Sequence, residues 1–143
     1  MARIKNIMVA KVPTLKKEAK IEQAVKLMAK QEIGCIVIVQ DDKPIGIVTE
    51  LDMVRYYVSK GRDFIKQPLS KIMSSPLVPM PPNMKLEEAL KIIDTKRFRR
   101  YPVVDNEKLV GVVTKKGVVN AMSDNLRFHR NLQNMVLLIF VLF

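Results

Sequence analysis

The sequence has very few of the residues that build disulfides, metal sites and aromatic binding surfaces. Among 143 residues there is one cysteine, one histidine and no tryptophan. A single cysteine forms no disulfide within the chain, which excludes a disulfide-stabilised fold. One cysteine and one histidine are also too few for a Cys/His zinc cluster. Five Phe and three Tyr leave few rings on which nucleic-acid bases could stack.

Long apolar runs are lacking as well. The best candidate, Met135–Phe143 (MVLLIFVLF), is about half as long as the ~20 residues of a membrane span. The first residues, MARIKNIMVAKVP, contain no apolar core of signal-peptide length. We therefore expect no transmembrane span and a cytoplasmic location. The apolar end could pack on its own module, a dimer partner, a membrane or another protein, and we favour packing within a dimer.

Positive charge is present in excess. The chain holds 25 Lys and Arg against 14 Asp and Glu, a formal net charge of +11. The excess is spread over both halves of the sequence, and its densest run is Lys96–Arg100. This balance favours a polyanionic partner: a nucleic acid, an anionic membrane surface or a phosphorylated small molecule. A charge run can equally be a solvated face of the protein.

The chain also repeats itself. Residues 20–54 align without a gap with residues 85–119, and GIVTELD at 46–52 falls on GVVTKKG at 111–117. Such self-similarity predicts two copies of one supersecondary unit. Because a unit of ~50 residues is near the lower size limit for independent folding, we expect the two units to bury their apolar faces against each other.

Each unit has the same predicted order of elements. Apolar residues at helical spacing predict an amphipathic first helix. Two short runs rich in β-branched residues predict a buried hairpin, and a second helix follows. A short extended segment precedes each unit. The predicted elements are 12–15, 19–31, 36–39, 45–49 and 50–59 in the first unit, and 77–80, 84–97, 101–104, 109–114 and 115–123 in the second.

The junction between strand and helix in the first unit carries the chemistry. Thr49 can cap the helix that begins there, and the helix presents free N–H groups and its positive dipole end at the same place. Asp52 lies one turn into the helix and could accept hydrogen bonds from the two hydroxyls of a ribose. The alternative is that Thr49 and Asp52 only cap the helix.

The order of helix, IVIV strand, acidic turn, GIVTELD and helix, repeated with RRYPVVD at 99–105, resembles a tandem pair of CBS domains. The resemblance covers about residues 5–123. It implies an α+β fold in which two repeats pack through their sheets into one module with pseudo-two-fold symmetry. Each repeat is helix-strand-strand-helix with a short preceding strand. We place the first repeat at 1–68, the second at 69–123 and a C-terminal extension at 124–143.

The resemblance also implies a function. It predicts a regulatory module without a catalytic domain, which binds an adenosine nucleotide in a cleft between the repeats. AMP, ADP or ATP is the expected ligand, and S-adenosylmethionine is a further candidate. A homodimer of modules and a regulated protein partner are expected. No cofactor is required, and we expect no enzymatic activity because the sequence shows no catalytic set of residues.

The family's GxxTxxD pattern can be placed on this sequence. Thr49 and Asp52 match its Thr and Asp, which implies that they hold phosphate or ribose hydroxyls, with Asp52 on the ribose. In the second repeat Thr114 matches as well. Gly117 stands where the aspartate is expected, which removes the ribose acid from the second cleft.

Further contacts are implied for the phosphates and the base. Basic residues that meet phosphates in related modules fall at Arg99 and Arg100, whose counterparts in the first repeat carry no charge. Because the phosphates of both sites point toward a shared centre in such modules, Arg99 or Arg100 could reach a ligand held by Asp52. The backbone around Val78 and Phe98 is expected to contact the base.

The charge leaves a second function open, a nucleic-acid-binding protein that uses its basic surface. Aromatic residues are not interleaved with the basic ones, and the sequence has no zinc-finger or evident helix-turn-helix pattern. We therefore prefer the nucleotide-binding module.

Overall fold

The computed structural model describes residues 2–96 and 98–142, so Arg97 of the basic run lies outside the described residues. The predicted α+β fold of two helix-strand-strand-helix repeats is confirmed. Two 3-10 helices, Arg62–Lys66 and Leu69–Lys71, join the repeats. The other elements are α1 (Ile4–Ile7), β1 (Thr14–Lys16), α2 (Ile21–Gln31), β2 (Cys35–Gln40), β3 (Lys43–Thr49), α3 (Glu50–Lys60), α4 (Leu86–Thr95), β4 (Arg100–Asp105), β5 (Lys108–Thr114) and α5 (Lys115–Leu142).

The two hairpins are built alike. β2 pairs antiparallel with β3, and β4 pairs antiparallel with β5, each with one register shift at the equivalent place. Both turns have two central residues with positive φ, Asp41-Asp42 and Asn106-Glu107. Two such residues make a type I′ turn, whose twist matches that of the paired strands. These tight turns fix the register of each hairpin, in which Thr49 lies opposite Cys35 and Thr114 opposite Arg100.

The segments that precede the hairpins differ between the repeats. β1 runs parallel to β2 and completes a three-stranded sheet. Its counterpart, predicted as a strand over 77–80, forms a single parallel bridge between Met80 and Val103, so the second sheet has two strands. Pro79 and Pro81 flank Met80 and have no N–H to donate to a ladder. The prediction of a preceding strand is wrong for the second repeat.

The start of the second repeat's first helix also differs from expectation. The sequence predicts a helix over 84–97, whereas α4 begins at Leu86 with Lys85 as its N-cap. The Asn83 carbonyl accepts a hydrogen bond from Arg3 Nη1 at 2.6 Å. The Pro82 carbonyl likewise accepts the Lys5 amide at 2.8 Å, so Pro82 and Asn83 form part of the contact with the N-terminal segment.

The two sheets pack against each other, as predicted. Val37 and Ile47 from the first sheet and Val112 from the second are buried in one apolar cluster between them. Each repeat has a second cluster of its own, beneath its two helices. The interior of the module is thus a sandwich of two small sheets with helices on the outside.

The segment before each repeat crosses to the other repeat. Ile4 of α1 is fully buried in the cluster of the second repeat, and Leu69 is fully buried in that of the first. These segments make four bridges, which form two pairs related by the repeat symmetry. Arg3 pairs with Lys85 as Pro68 does with Lys20, and Val9 pairs with Val112 as Ser74 does with Ile47. The boundary between the repeats at residue 68 stays a prediction. In the packing, the segment before each repeat belongs to the core of the other repeat.

One matched pair of glycines tests these crossing contacts. A Cβ at Gly111 would lie 2.8 Å from the Val9 carbonyl oxygen, whereas a Cβ at the equivalent Gly46 would meet only the flexible Met73 side chain. We expect Gly111→Ala to lower the free energy of unfolding by about 2 kcal/mol, because backbone must move, and Gly46→Ala to lower it by less than about 1 kcal/mol. Urea unfolding followed by circular dichroism measures both. Equal losses would show that the bridge at Val9 is not held tightly.

The last helix is longer than predicted. α5 has 28 residues and continues past residue 123, because the sequence from there to its end has no glycine or proline to stop it. Val118, Ala121 and Met122 pack on the second repeat. Within residues 2–96 and 98–142, no helix is long and apolar enough to cross a membrane. The expected packing of residues 124–143 within a dimer stays a prediction.

Candidate functional site

The N-terminus of α3 is formed by the predicted strand–Thr–helix junction. Thr49 is the N-cap, in extended conformation, and Asp52 is the third residue of the helix. The Asp52 amide donates to Thr49 Oγ1 at 3.4 Å. In return, Asp52 Oδ2 accepts from the Thr49 amide at 2.8 Å and from its hydroxyl at 3.1 Å. The predicted cap at Thr49 is confirmed, as a reciprocal capping box.

The capping box leaves Asp52 equipped for a ligand as well. Both bonds from Thr49 go to Oδ2, which leaves Oδ1 to accept from a ligand hydroxyl. The box also fixes the orientation of the carboxylate, so a ligand would meet a preorganised acceptor. The capping interpretation and the ribose interpretation are therefore compatible.

The second repeat keeps half of this arrangement. Thr114 Oγ1 accepts from the Gly117 amide at 2.9 Å, which repeats the bond from the Asp52 amide to Thr49. Gly117 has no side chain to return the interaction. The N-terminus of α5 therefore presents a capped helix end without a carboxylate at this position.

Arg100 crosses from the second repeat to the first. Its Nη1 donates to the Gly34 carbonyl at 2.7 Å. The same carbonyl accepts the Glu50 amide, the first N–H of α3, at 3.2 Å. The next residue, Cys35, lies opposite Thr49 in the β2–β3 register. The guanidinium of Arg100 therefore stands at the N-terminus of α3, beside the Thr49 junction.

Gly34 makes this approach possible. A Cβ at Gly34 would lie 2.8 Å from Arg100 Nη2 and would collide with the carboxylate of Glu50. Both charged side chains thus converge on Gly34, and a side chain at this position would displace them. Sequence reasoning noted that this position is uncharged in the first repeat, but it identified neither the contact with Arg100 nor the presence of Glu50. The repeat alignment could have drawn attention to this position, because it pairs the glycine at 34 with Arg99, the neighbour of Arg100 in the basic run.

The pKa of the Cys35 thiol is affected by both charged side chains, Arg100 and Glu50. Burial raises the pKa of its thiol, Arg100 lowers that pKa by a smaller amount, and Glu50 raises it. The thiol is therefore protonated at neutral pH and acts as a small apolar side chain of the sheet interface.

Arg99 and Arg100, which the sequence treated as equivalent candidates, are placed differently. Arg99 is exposed, and its carbonyl accepts the Lys115 amide at 2.8 Å. This bond is the counterpart of the one between Gly34 and Glu50. Arg100 alone of the two makes the hydrogen bond to the first repeat.

Val78 and Phe98 line the second cleft together with Arg100 and Tyr101. The Phe98 and Tyr101 rings meet edge to face with centroids 6.4 Å apart, and the Tyr101 hydroxyl donates to the Phe98 carbonyl at 2.9 Å. Burial raises the pKa of Tyr101, so the hydroxyl keeps its proton at neutral pH. The cavity among these residues is about 10 Å³, room for about one water, so a purine requires the cleft to open.

The predicted site residues therefore form two groups. Val78, Phe98 and Arg100 line the second cleft, and Thr114 lies opposite Arg100 in the β4–β5 register. Thr49 and Asp52 lie at the mouth of the first repeat. The side chain of Arg100 connects the two groups.

A large cavity lies on the outer face, in a groove between α2 and α3. It has a volume of about 670 Å³ and an apolar lining that includes Met28, Val54 and Tyr57. Gly34 and Glu50 lie at its rim, which brings one end of the groove to the α3 N-terminus. Across the described parts of the chain, no group of three His, Cys, Asp or Glu side chains could hold a metal ion.

Two stretches of the sequence, 4–59 and 69–124, match the family model for the CBS domain. The chain belongs to the CBS-domain family. It is similar to the CBS domain-containing protein YhcV of Bacillus subtilis, with 34% identity over 125 residues that cover 87% of this chain and 89% of YhcV. The predicted tandem CBS pair is thus confirmed.

Two solved structures of CBS proteins carry ligands and share the fold. One is CBSX2 in complex with AMP, with a TM-score of 0.71 and 20% identity. The other is the CBS domain pair of MJ0100 in complex with 5′-methylthioadenosine and S-adenosyl-L-methionine, with a TM-score of 0.75 and 20% identity. In both comparisons, 87% of this chain and 98% of the other are covered.

Proposed function

We propose that this CBS pair is a regulatory module that binds an adenosine nucleotide, with AMP preferred. The observation that carries the proposal is the position of Arg100, whose guanidinium reaches the capped N-terminus of α3 from the other repeat. One place thus combines a phosphate-binding cation, helix N–H groups and an oriented carboxylate. CBS pairs of the same fold bind AMP or adenosyl compounds, which supports the ligand class.

The ligand's charge follows from the groups around the site. Asp52 is assigned to the ribose hydroxyls, and Thr49 with Arg100 to the phosphate. Glu50 adds a second negative charge beside Arg100, because both side chains converge on Gly34. A monophosphate meets less repulsion from these two carboxylates than a triphosphate does. We therefore expect AMP to bind more tightly than ADP, and ADP more tightly than ATP.

Binding would change the contact between the repeats. Arg100 donates to the Gly34 carbonyl in the structure, so a phosphate must compete with that carbonyl for the guanidinium. Phe98 and Tyr101, which close the second cleft, flank Arg100 in the chain. A ligand that draws Arg100 toward its phosphate would act on both the inter-repeat bond and the closed cleft, and this coupling is the proposed regulatory signal.

We also propose that the module forms a homodimer through the groove between α2 and α3. Exposed apolar side chains along α3, including Leu51, Val54 and Val58, extend the surface of this groove. Such a patch is typical of an interface between subunits. A regulated protein partner would then recognise the ligand-bound or ligand-free state of the dimer. We also propose that the protein is cytoplasmic.

The function is tested by isothermal titration calorimetry with AMP, ADP, ATP, adenosine and S-adenosylmethionine. We expect saturable binding with AMP tightest, and a rise in melting temperature that follows the same order. Absence of binding for all five compounds would overturn the proposal. Gel shifts with nucleic acid that depend strongly on salt, without any effect of nucleotides, would favour the nucleic-acid alternative.

The role of Arg100 has its own test. Arg100→Gln removes the charge-assisted bonds to phosphate, and we expect it to weaken AMP binding about 20-fold while the affinity for adenosine changes little. Arg99→Gln is the matched control, because Arg99 has the same charge but is exposed. Equal effects of the two variants would point to diffuse electrostatics and away from the crossing contact.

A further inference from the structure

The last turns of α5 are apolar on every side. From Met135 onward the printed sequence contains no polar residue. The five consecutive side chains from Met135 to Ile139 are between 47% and 64% exposed. Because successive residues in a helix are about 100° apart, five of them face all directions around the axis. We call residues 135–142 the α5 tip.

This all-round pattern decides what can cover the tip. A groove on another protein, or the seam of a coiled coil, covers one side of a helix and leaves the opposite side in water. Leu137 and Ile139, two positions apart, face nearly opposite directions and are 62% and 55% exposed. An environment that is apolar on all sides, such as the hydrocarbon of a bilayer, satisfies both at once.

The charge of the segment fits an anionic membrane surface. Arg127 and Arg130 precede the tip by about two turns and about one and a half turns, and Asp124 is the single acidic residue after Lys116. These arginines would lie at the level of the headgroups, and the net charge of +11 favours an anionic surface.

We propose that the α5 tip inserts into the hydrocarbon of a phospholipid membrane with anionic headgroups. The insertion would anchor the CBS pair at the membrane surface. The module would then sense its ligand at the membrane, with α5 as a rigid connection to the second repeat, on which Val118 and Met122 pack. The proposal does not depend on which ligand the clefts bind.

Vesicle co-sedimentation of the full chain tests this directly. The probe is vesicles of equal parts phosphatidylglycerol and phosphatidylcholine, compared with vesicles of pure phosphatidylcholine. We expect Leu137→Asp to reduce binding to the anionic vesicles more than ~10-fold, because a carboxylate would enter the hydrocarbon. Val9→Asp is the matched control, since Val9 is 63% exposed against 62% for Leu137 and lies far along the chain from the tip. It should bind like the wild type.

A spectroscopic variant separates insertion from surface attraction. The chain has no tryptophan, so Ile139→Trp introduces a single reporter in the tip and Val9→Trp a single reporter outside it. We expect the emission of the first to shift to the blue with anionic vesicles, and that of the second to stay unchanged. Arg127→Gln and Arg130→Gln should each weaken binding about fivefold.

Three results would overturn the proposal. The wild type could fail to bind anionic vesicles. Leu137→Asp could bind them as well as Val9→Asp does, which would assign binding to the charge of the module. Finally, Leu137→Asp could dissociate an oligomer of the free protein while the Ile139→Trp emission stays unchanged with vesicles, which would make a second copy of the chain the occupant. Circular dichroism of each variant confirms that the fold is intact.

Discussion

Replacing Ile4 by alanine is expected to lower the free energy of unfolding by about 3 kcal/mol, one of the largest effects of any single substitution in this module. Ile4 belongs to a helix of only four residues, α1, yet its side chain is fully buried in the cluster of the second repeat. The truncation would leave a cavity among Met80, Leu86 and Tyr101, which belong to the same cluster. Chemical unfolding monitored by far-ultraviolet circular dichroism measures the loss.

The repeat symmetry provides a second test of the same core. Leu69 is the counterpart of Ile4, and it is buried in the cluster of the first repeat. If the segments before the repeats are reciprocal parts of one core, Leu69→Ala should cost about as much as Ile4→Ala, and both variants should unfold in a single transition. Val9→Ala, at an exposed position, should cost less than ~0.5 kcal/mol. A loss below ~1 kcal/mol for Ile4→Ala would mean that α1 opens independently of the core.

This crossing of segments lies beyond what sequence periodicity could predict. Periodicity identified the helices and hairpins because each one shows its buried face within a short window. The same windows contain no information about which repeat buries Ile4, since an isoleucine has equal reason to be buried in either cluster. The length of α5 was missed for a related reason: the repeat pattern ends near residue 123, whereas sequence without glycine or proline continues past it.

The candidate site shows the same limit. Thr49 and Asp52 were predictable because a capping box depends on spacing within one turn of a helix. The contact between Arg100 and Gly34 joins positions that are 66 residues apart, and it depends on how the two sheets pack. Sequence reasoning placed Arg100 near a phosphate through the family resemblance, but the choice of Arg100 over Arg99 required the structure.

Asp52→Ala is the second substitution with a large expected effect, about 100-fold weaker binding of AMP and of adenosine. The physical reason is the loss of the charged acceptor of the ribose hydroxyls: a hydrogen bond to a charged group contributes roughly 1.5–3 kcal/mol, and 100-fold corresponds to about 2.7 kcal/mol. Because Asp52 also takes part in the capping box, alanine should lower stability by about 1 kcal/mol. Calorimetry with adenosine, which has no phosphate, isolates the ribose contribution from that of Arg100.

Asp52→Asn separates the two roles of this side chain. An asparagine oxygen can still accept from the Thr49 amide, so the cap is kept while the charge is lost. We expect nearly wild-type stability with affinity for adenosine at least ~10-fold weaker. If both Asp52 variants bind adenosine as tightly as the wild type does, Asp52 does not bind the ribose and acts only as a helix cap.

The second repeat allows the converse experiment, in which the missing acid is restored. A Cβ at Gly117 would lie 3.0 Å from Thr114 Oγ1, which the Gly117 amide already contacts at 2.9 Å. Gly117→Asp can therefore build the capping box that Thr49 and Asp52 form in the first repeat. If the carboxylate is what the second cleft lacks, calorimetry should show a second binding site for AMP. An unchanged stoichiometry would instead make the closed cleft, at about 10 Å³, the barrier to a second ligand.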